Sequence, residues 1–183
     1  MFDVLLPQDR MRRVLLLFMC VALSWAKECT QPEVLDLDGT VTADQSSNNI
    51  EQPLPVAGKA INLKTTTDHS VSPCAVTQKE NEPWWSLDLK DIYTIHSVVI
   101  WNRMDKDSES LRGGEIRIGN SPTKENPVCG TVTDTSEERV FIPCFNMKGR
   151  YLYVIVPERT VHLQLCEVEV YGKPLNLSCY GRP

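Results

Sequence analysis

The chain lacks a basic face. Its 19 Lys and Arg are scattered among 24 Asp and Glu, for a net charge of −5 and a pI near 5.2, which argues against nucleic acid as a partner. It has no C-x-x-C pair to begin a structural zinc site. It has no nucleophile elbow, H-E-x-x-H or P-loop, so His69, His96 and His162 stand isolated and nothing marks an enzyme. No apolar run reaches the roughly 20 residues of a membrane span. No window sustains a 3.6-residue period, which leaves little room for helix.

What is present is β-sequence. YTIHSVVIW (Tyr93–Trp101) is rich in β-branched and aromatic residues, and RYLYVIVP (Arg150–Pro157) is the most apolar run. PWWSLDL (Pro83–Leu89), Gly114–Gly119 and Val140–Pro143 add further short strands. Val161–Tyr171 alternates with a slip of phase. Val161, Leu163 and Leu165 are odd-numbered and Val168 and Val170 even, which marks a bulge or break near Leu165–Glu167. Short strands separated by turn signals predict an all-β sandwich.

The first 26 residues read as a secretory signal. Arg10, Arg12 and Arg13 precede the apolar core Val14–Leu23, and Ser24 and Ala26 suit a cleavage site. Residues 27–33 form a lead, 34–173 the domain and 174–183 a tail that carries the sequon Asn176-Leu177-Ser178. Six cysteines follow the signal: Cys29, Cys74, Cys129, Cys144, Cys166 and Cys179. An even number in an oxidising compartment implies disulfides, with the pairing left open by sequence alone.

Between two strands lies the charged stretch NRMDKDSESLRGGEIRIGN (Asn102–Asn120), placed where a sandwich meets a ligand. With PWWSLDL before it and LCEVEVYG (Leu165–Gly172) after it, this stretch resembles the F-type lectins, or fucolectins, over about Val34 to Gly172. The resemblance implies a jelly-roll β-sandwich related to discoidin and galactose-binding domains. It implies a secreted, non-catalytic protein that binds terminal fucose among loops at one end, above a calcium ion, often in innate recognition. Its partners would be cell-surface or microbial glycans or glycoproteins, and self-association stays open. A second possibility is a protein-interaction module that kept the fold and lost sugar and calcium binding.

The family's sugar motif joins a His to two Arg, which offer fixed planar donors to a hydroxylated ring. In this chain only Arg103 of the three survives, and Asp105 matches the family's Asp that follows it. Val76 stands at the His position and Ser110 at the second Arg position, and Lys106 and Asp107 replace an adjacent cysteine pair. These changes predict weakened or altered fucose specificity. Arg103 either contacts a ligand or pairs with Asp105.

The family's calcium positions hold Lys59, Asn62 and Lys64, with Pro73 and Cys166 to offer carbonyls and Glu167 a carboxylate. Two ammoniums suit a calcium ion badly, and Glu167 is expected to pair with Lys59 or Lys64. The resemblance pairs Cys74 with Cys166 and Cys129 with Cys144, and leaves Cys29 to Cys179. Trp84 and Trp85 are expected to pack rather than to stack on sugar.

Overall fold

The computed structural model describes residues 33–37, 40–50 and 54–175. The signal segment, the Cys29–Cys179 pair and the Asn176 sequon lie outside them. In chain order the strands are β1 (Glu33–Val34), β2 (Thr42–Gln45), β3 (Ala75–Val76), β4 (Glu80–Asn81), β5 (Trp84–Trp101), β6 (Glu115–Gly119), β7 (Val128–Thr131), β8 (Arg139–Ile155), β9 (Thr160–Val161), β10 (Gln164–Leu165) and β11 (Glu167–Pro174). Single 3-10 turns occupy Ala57–Ile61 and Ser108–Leu111.

Every pairing is antiparallel. The main sheet runs β1-β11-β5-β8-β6-β7, and β2 also pairs with β5. Two small ribbons, β3 with β10 and β4 with β9, stand apart from it. β5 and β8 hold the molecule together, paired from Trp84 opposite Ile155 to Trp101 opposite Arg139. The first part of β5 carries β2 on its other edge, with Gln45 opposite Trp85, and the last part carries β11, with Glu167 opposite Trp101. The β5–β8 ribbon thus passes from one layer of a sandwich into the other.

The reading of Pro83–Leu89 and Tyr93–Trp101 as separate strands, and of Val140–Pro143 and Arg150–Pro157 likewise, is corrected here. Each pair is one strand whose register shifts without the pairing being lost, between Asp88 and Tyr93 and between Ile95 and Ser97. The shifts have local causes. Lys90 takes a positive φ of 67° and its amide donates to Asp88 Oδ1 at 2.8 Å. On β8, Phe145 and Asn146 have φ of 49° and 64° and form a bulge opposite His96.

The bulges also keep apolar residues inward. Trp85, Leu87 and Ile95 are odd-numbered, Val98 and Ile100 even, and all five are in the core. Ile116 and Ile118 of β6, Leu152 and Val154 of β8, and Val168 and Val170 of β11 join them. Each such burial contributes roughly 1.5–3 kcal/mol. The slip expected near Leu165–Glu167 is present, since β10 ends at Leu165 and β11 begins at Glu167. Trp85 is fully buried with its indole N–H on the Ala57 carbonyl at 3.0 Å, and Trp84 tilts against Tyr153. Both tryptophans therefore pack.

Candidate functional site

The loop after β5 is braced from beneath. Arg103 is only 6% exposed. Its Nε and Nη2 donate to the two oxygens of Asp105, both at 2.9 Å, and its Nη1 donates to Gln164 Oε1 at 2.9 Å. Three of the five guanidinium N–H groups are thus engaged inside the protein. Asp105 also accepts the His69 amide at 3.1 Å, and His69 Nδ1 in turn accepts the Cys74 amide at 3.1 Å. Hydrogen bonds from Arg103, opposed by burial, hold the Asp105 carboxyl at about 2. Gln164 Nε2 donates to Ser110 Oγ at 3.3 Å and reaches the carbonyls of Lys106 and Asp107 at 3.3 and 3.4 Å. One buried amide side chain thus ties the loop at both ends.

The two replaced donor positions are not equivalent. Val76 is 2% exposed and packs with the Cys74–Cys166 disulfide and Trp101. Ser110 lies on the wall of a surface cleft of about 340 Å³. The cleft is also lined by Asp107, Glu109, Lys79, Arg159 and His162.

Strand pairing explains the assembly. The β4–β9 register, Glu80 opposite Val161 and Asn81 opposite Thr160, sets Lys79 opposite His162 and carries Arg159 beside Glu82, while Gln164 of the β3–β10 ribbon reaches Ser110 of the neighbouring turn. His162 Nδ1 lies 2.9 Å from the Thr77 carbonyl. A carbonyl only accepts, so Nδ1 carries the proton and Nε2 remains an acceptor while the ring is neutral. Arg159 donates to the carbonyls of Ser110, Arg112 and Glu109, which fixes the loop from the cleft side. Glu109 is held at about 2 by hydrogen bonds from Arg112 and Thr135 and stays ionised.

Sequence reasoning singled out Arg103 and Asp105, which here brace the loop, and did not single out Gln164 beneath it or the cleft residues Lys79, Arg159 and His162. One signal was available: His162 and Gln164 are polar residues two apart within the apolar run from Val161 to Leu165, hence on one face of an extended segment.

At the other family site the structure corrects an expectation. Glu167 is 2% exposed, and its partners are main-chain amides rather than Lys59 or Lys64. Oε2 accepts from Asn62 N at 3.1 Å and Lys64 N at 3.3 Å, and the Leu63 amide between them faces the carboxylate. Burial pushes the carboxyl above its usual range, and the three amides pull it back. Asn62 Oδ1 is turned onto the Lys64 amide at 3.0 Å. Both expected disulfides within the described residues are present, Cys74–Cys166 and Cys129–Cys144.

Known proteins agree with this architecture. Residues 64–154 match the family profile described as a NedA-like, galactose-binding domain. Fucolectin-1 of Anguilla japonica is 36% identical over 171 residues, 88% of this chain and 96% of that protein. The pentraxin fusion protein of Xenopus laevis is 38% identical over 125 residues, 66% of this chain but only 30% of its own length. The crystal structure of a fucolectin from Morone saxatilis serum superposes with a TM-score of 0.69 at 34% identity, covering 74% of this chain and 46% of that one. Among the described residues no helix is long and apolar enough to cross a membrane.

Proposed function

Because this chain belongs to the fucolectin family, we propose that it is a secreted, non-catalytic recognition protein. It binds glycans or glycoproteins in the cleft of Lys79, Ser110, Arg159 and His162, with a preference altered away from simple fucose. One observation carries the reading. The family's own donor positions are spent, with Val76 packed on a disulfide and Arg103 bound to Asp105 and Gln164, while the His162 imidazole and the Lys79 ammonium line a cleft beside Ser110 whose loop Arg159 fixes. Hydroxyl recognition needs a few fixed polar groups in a concave site, and these residues supply donors and acceptors of both kinds.

A glycan array on the protein purified from culture medium tests this, followed by calorimetry on any sugar that binds. His162→Ala is expected to lower affinity by about tenfold or more, the value of one strong hydrogen bond, while loss of its bond to the Thr77 carbonyl lowers the melting temperature by only a few degrees. Lys79→Ala should act likewise. L-fucose itself should bind weakly. Submillimolar fucose binding that is indifferent to His162 and Lys79 would move the site away from this cleft.

The second reading, recognition of protein surface, is favoured by the exposed Phe141 and Phe145 on β8. Such residues mark contact surfaces when they are contiguous. A blank array together with capture of a defined protein partner would select it.

A further inference from the structure

We propose that the loop Lys59–Lys64 is ordered by a backbone nest around Glu167 and needs no calcium ion. The inference goes beyond the reading of the cleft and does not depend on it. The 3-10 turn Ala57–Ile61 ends at Asn62, with φ −109° and ψ 11°, and Leu63 follows at φ 63°. A right-handed residue followed by a left-handed one turns successive amides toward one point and makes an anion-binding concavity. The anion is the chain's own. The amides of Asn62 and Lys64 donate to the buried Glu167 carboxylate, and the Leu63 amide between them faces it. Leucine rarely adopts a positive φ, so the conformation needs a reason, and convergence on a buried charge supplies one.

The same geometry is wrong for calcium. A calcium ion requires six to eight oxygens. Here the loop turns N–H dipoles, not oxygens, toward the carboxylate, and Asn62 Oδ1 is occupied by the Lys64 amide. The neighbouring carboxylate of Glu169 is engaged as well, with Trp101 Nε1 on Oε1 at 3.0 Å and the Tyr171 hydroxyl on Oε2 at 2.9 Å. The adjoining cavity, about 280 Å³, is walled largely by hydrocarbon from Val34, Leu35, Leu37 and Ile61. No group of three His, Cys, Asp or Glu suited to a metal occurs among the described residues. The positions that hold a metal in the family are here an internal anion site, and its bonds persist at any calcium concentration.

The test is thermal unfolding of the full secreted chain in millimolar calcium and in EDTA, with amide exchange read at Asn62, Leu63 and Lys64. The two melting temperatures should agree within about a degree, because a ligand that does not bind the native state cannot stabilise it. The Asn62 and Lys64 amides, the two that donate to Glu167, should be protected in EDTA. Glu167→Gln should lose that protection and melt lower in both buffers. Leu63→Gly, which accepts a positive φ without strain, should keep the protection and melt no lower. A rise of several degrees with calcium overturns the proposal. So does a Glu167→Gln protein that melts like the parent in EDTA but no longer responds to calcium, since the carboxylate would then be a metal ligand.

Discussion

Replacing Cys74 and Cys166 together by serine will leave little native protein at 37 °C. The bridge spans a sequence separation of 92 residues. Constraining an unfolded loop of that length is worth roughly 4–5 kcal/mol in the chain-entropy model, a large share of the 5–15 kcal/mol by which domains are stable. Both cysteines are buried, and their bridge packs against Val76 and Trp101 at the root of the loop end. Loss should therefore loosen β3, β10 and the start of β11 together. The comparison variant is serine at Cys129 and Cys144, whose separation is 15 residues. That change should cost about 3 kcal/mol and leave a folded protein with a lower melting temperature. Circular dichroism melts of both variants decide the matter. A Cys74/Cys166 variant that melts within a few degrees of the parent would mean that the sheet, not the bridge, holds this end.

The second large effect is at Arg103. Arg103→Ala should destabilise by about 2–3 kcal/mol, the value of losing charge-assisted hydrogen bonds, because Asp105 and Gln164 lose their shared donor while the Asp105 side chain, 28% exposed, regains water. For a domain of this size that is on the order of 5–10 °C in melting temperature. Arg103→Lys should recover little, since one ammonium cannot span both Asp105 oxygens and Gln164 Oε1.

The pair also sets an acid limit. Asp105 falls from 3.8 to about 2 on folding, so the folded state binds fewer protons there than the unfolded one. Its contribution is complete above about pH 4 and is lost as pH falls through 4 toward 2. Stability measured against pH should show this acid limb in the parent and a flatter one in Arg103→Ala. If the alanine variant instead keeps its melting temperature and loses only glycan binding, Arg103 is a ligand contact and not a brace.

Much of this fold is legible in the chain because one buried face leaves a period of two. The slip of phase between Leu165 and Val168 marks a bulge or break near Leu165–Glu167, and β10 ends at Leu165 where β11 begins at Glu167. The same signal failed at Lys90 and at Phe145–Asn146. Alternation breaks at a bulge just as it does at a strand end, and only the partner strand tells the two apart. Arg103 and Asp105, two residues apart, could be paired by eye. Gln164 lies 61 positions from Arg103, and Lys79, Arg159 and His162 meet only through the small ribbons. The nest at Glu167 was out of reach for a different reason. Its donors are main-chain amides, which every residue but proline carries, so no letter announces them, and the two lysines drew attention instead.

The first and last strands of the sheet are neighbours. Glu33 lies opposite Gly172 and Val34 opposite Tyr171. Chain entry and exit therefore sit side by side at one edge, and the domain can hang from a longer polypeptide as a pendant without stretching it. Under tension, with Cys29 and Cys179 replaced by serine so that no bridge joins the ends, the two ends would pull apart like the teeth of a zipper, one hydrogen bond at a time, at low force. Once β1 and β11 have peeled, the load arrives at Cys166 and crosses the disulfide to Cys74. The 91 residues between these cysteines are short-circuited and cannot be drawn out. A molecule pulled by its ends would then lengthen only by the segments outside the bridge, and the covalently closed body, with the cleft and its loops, would be carried along unstressed.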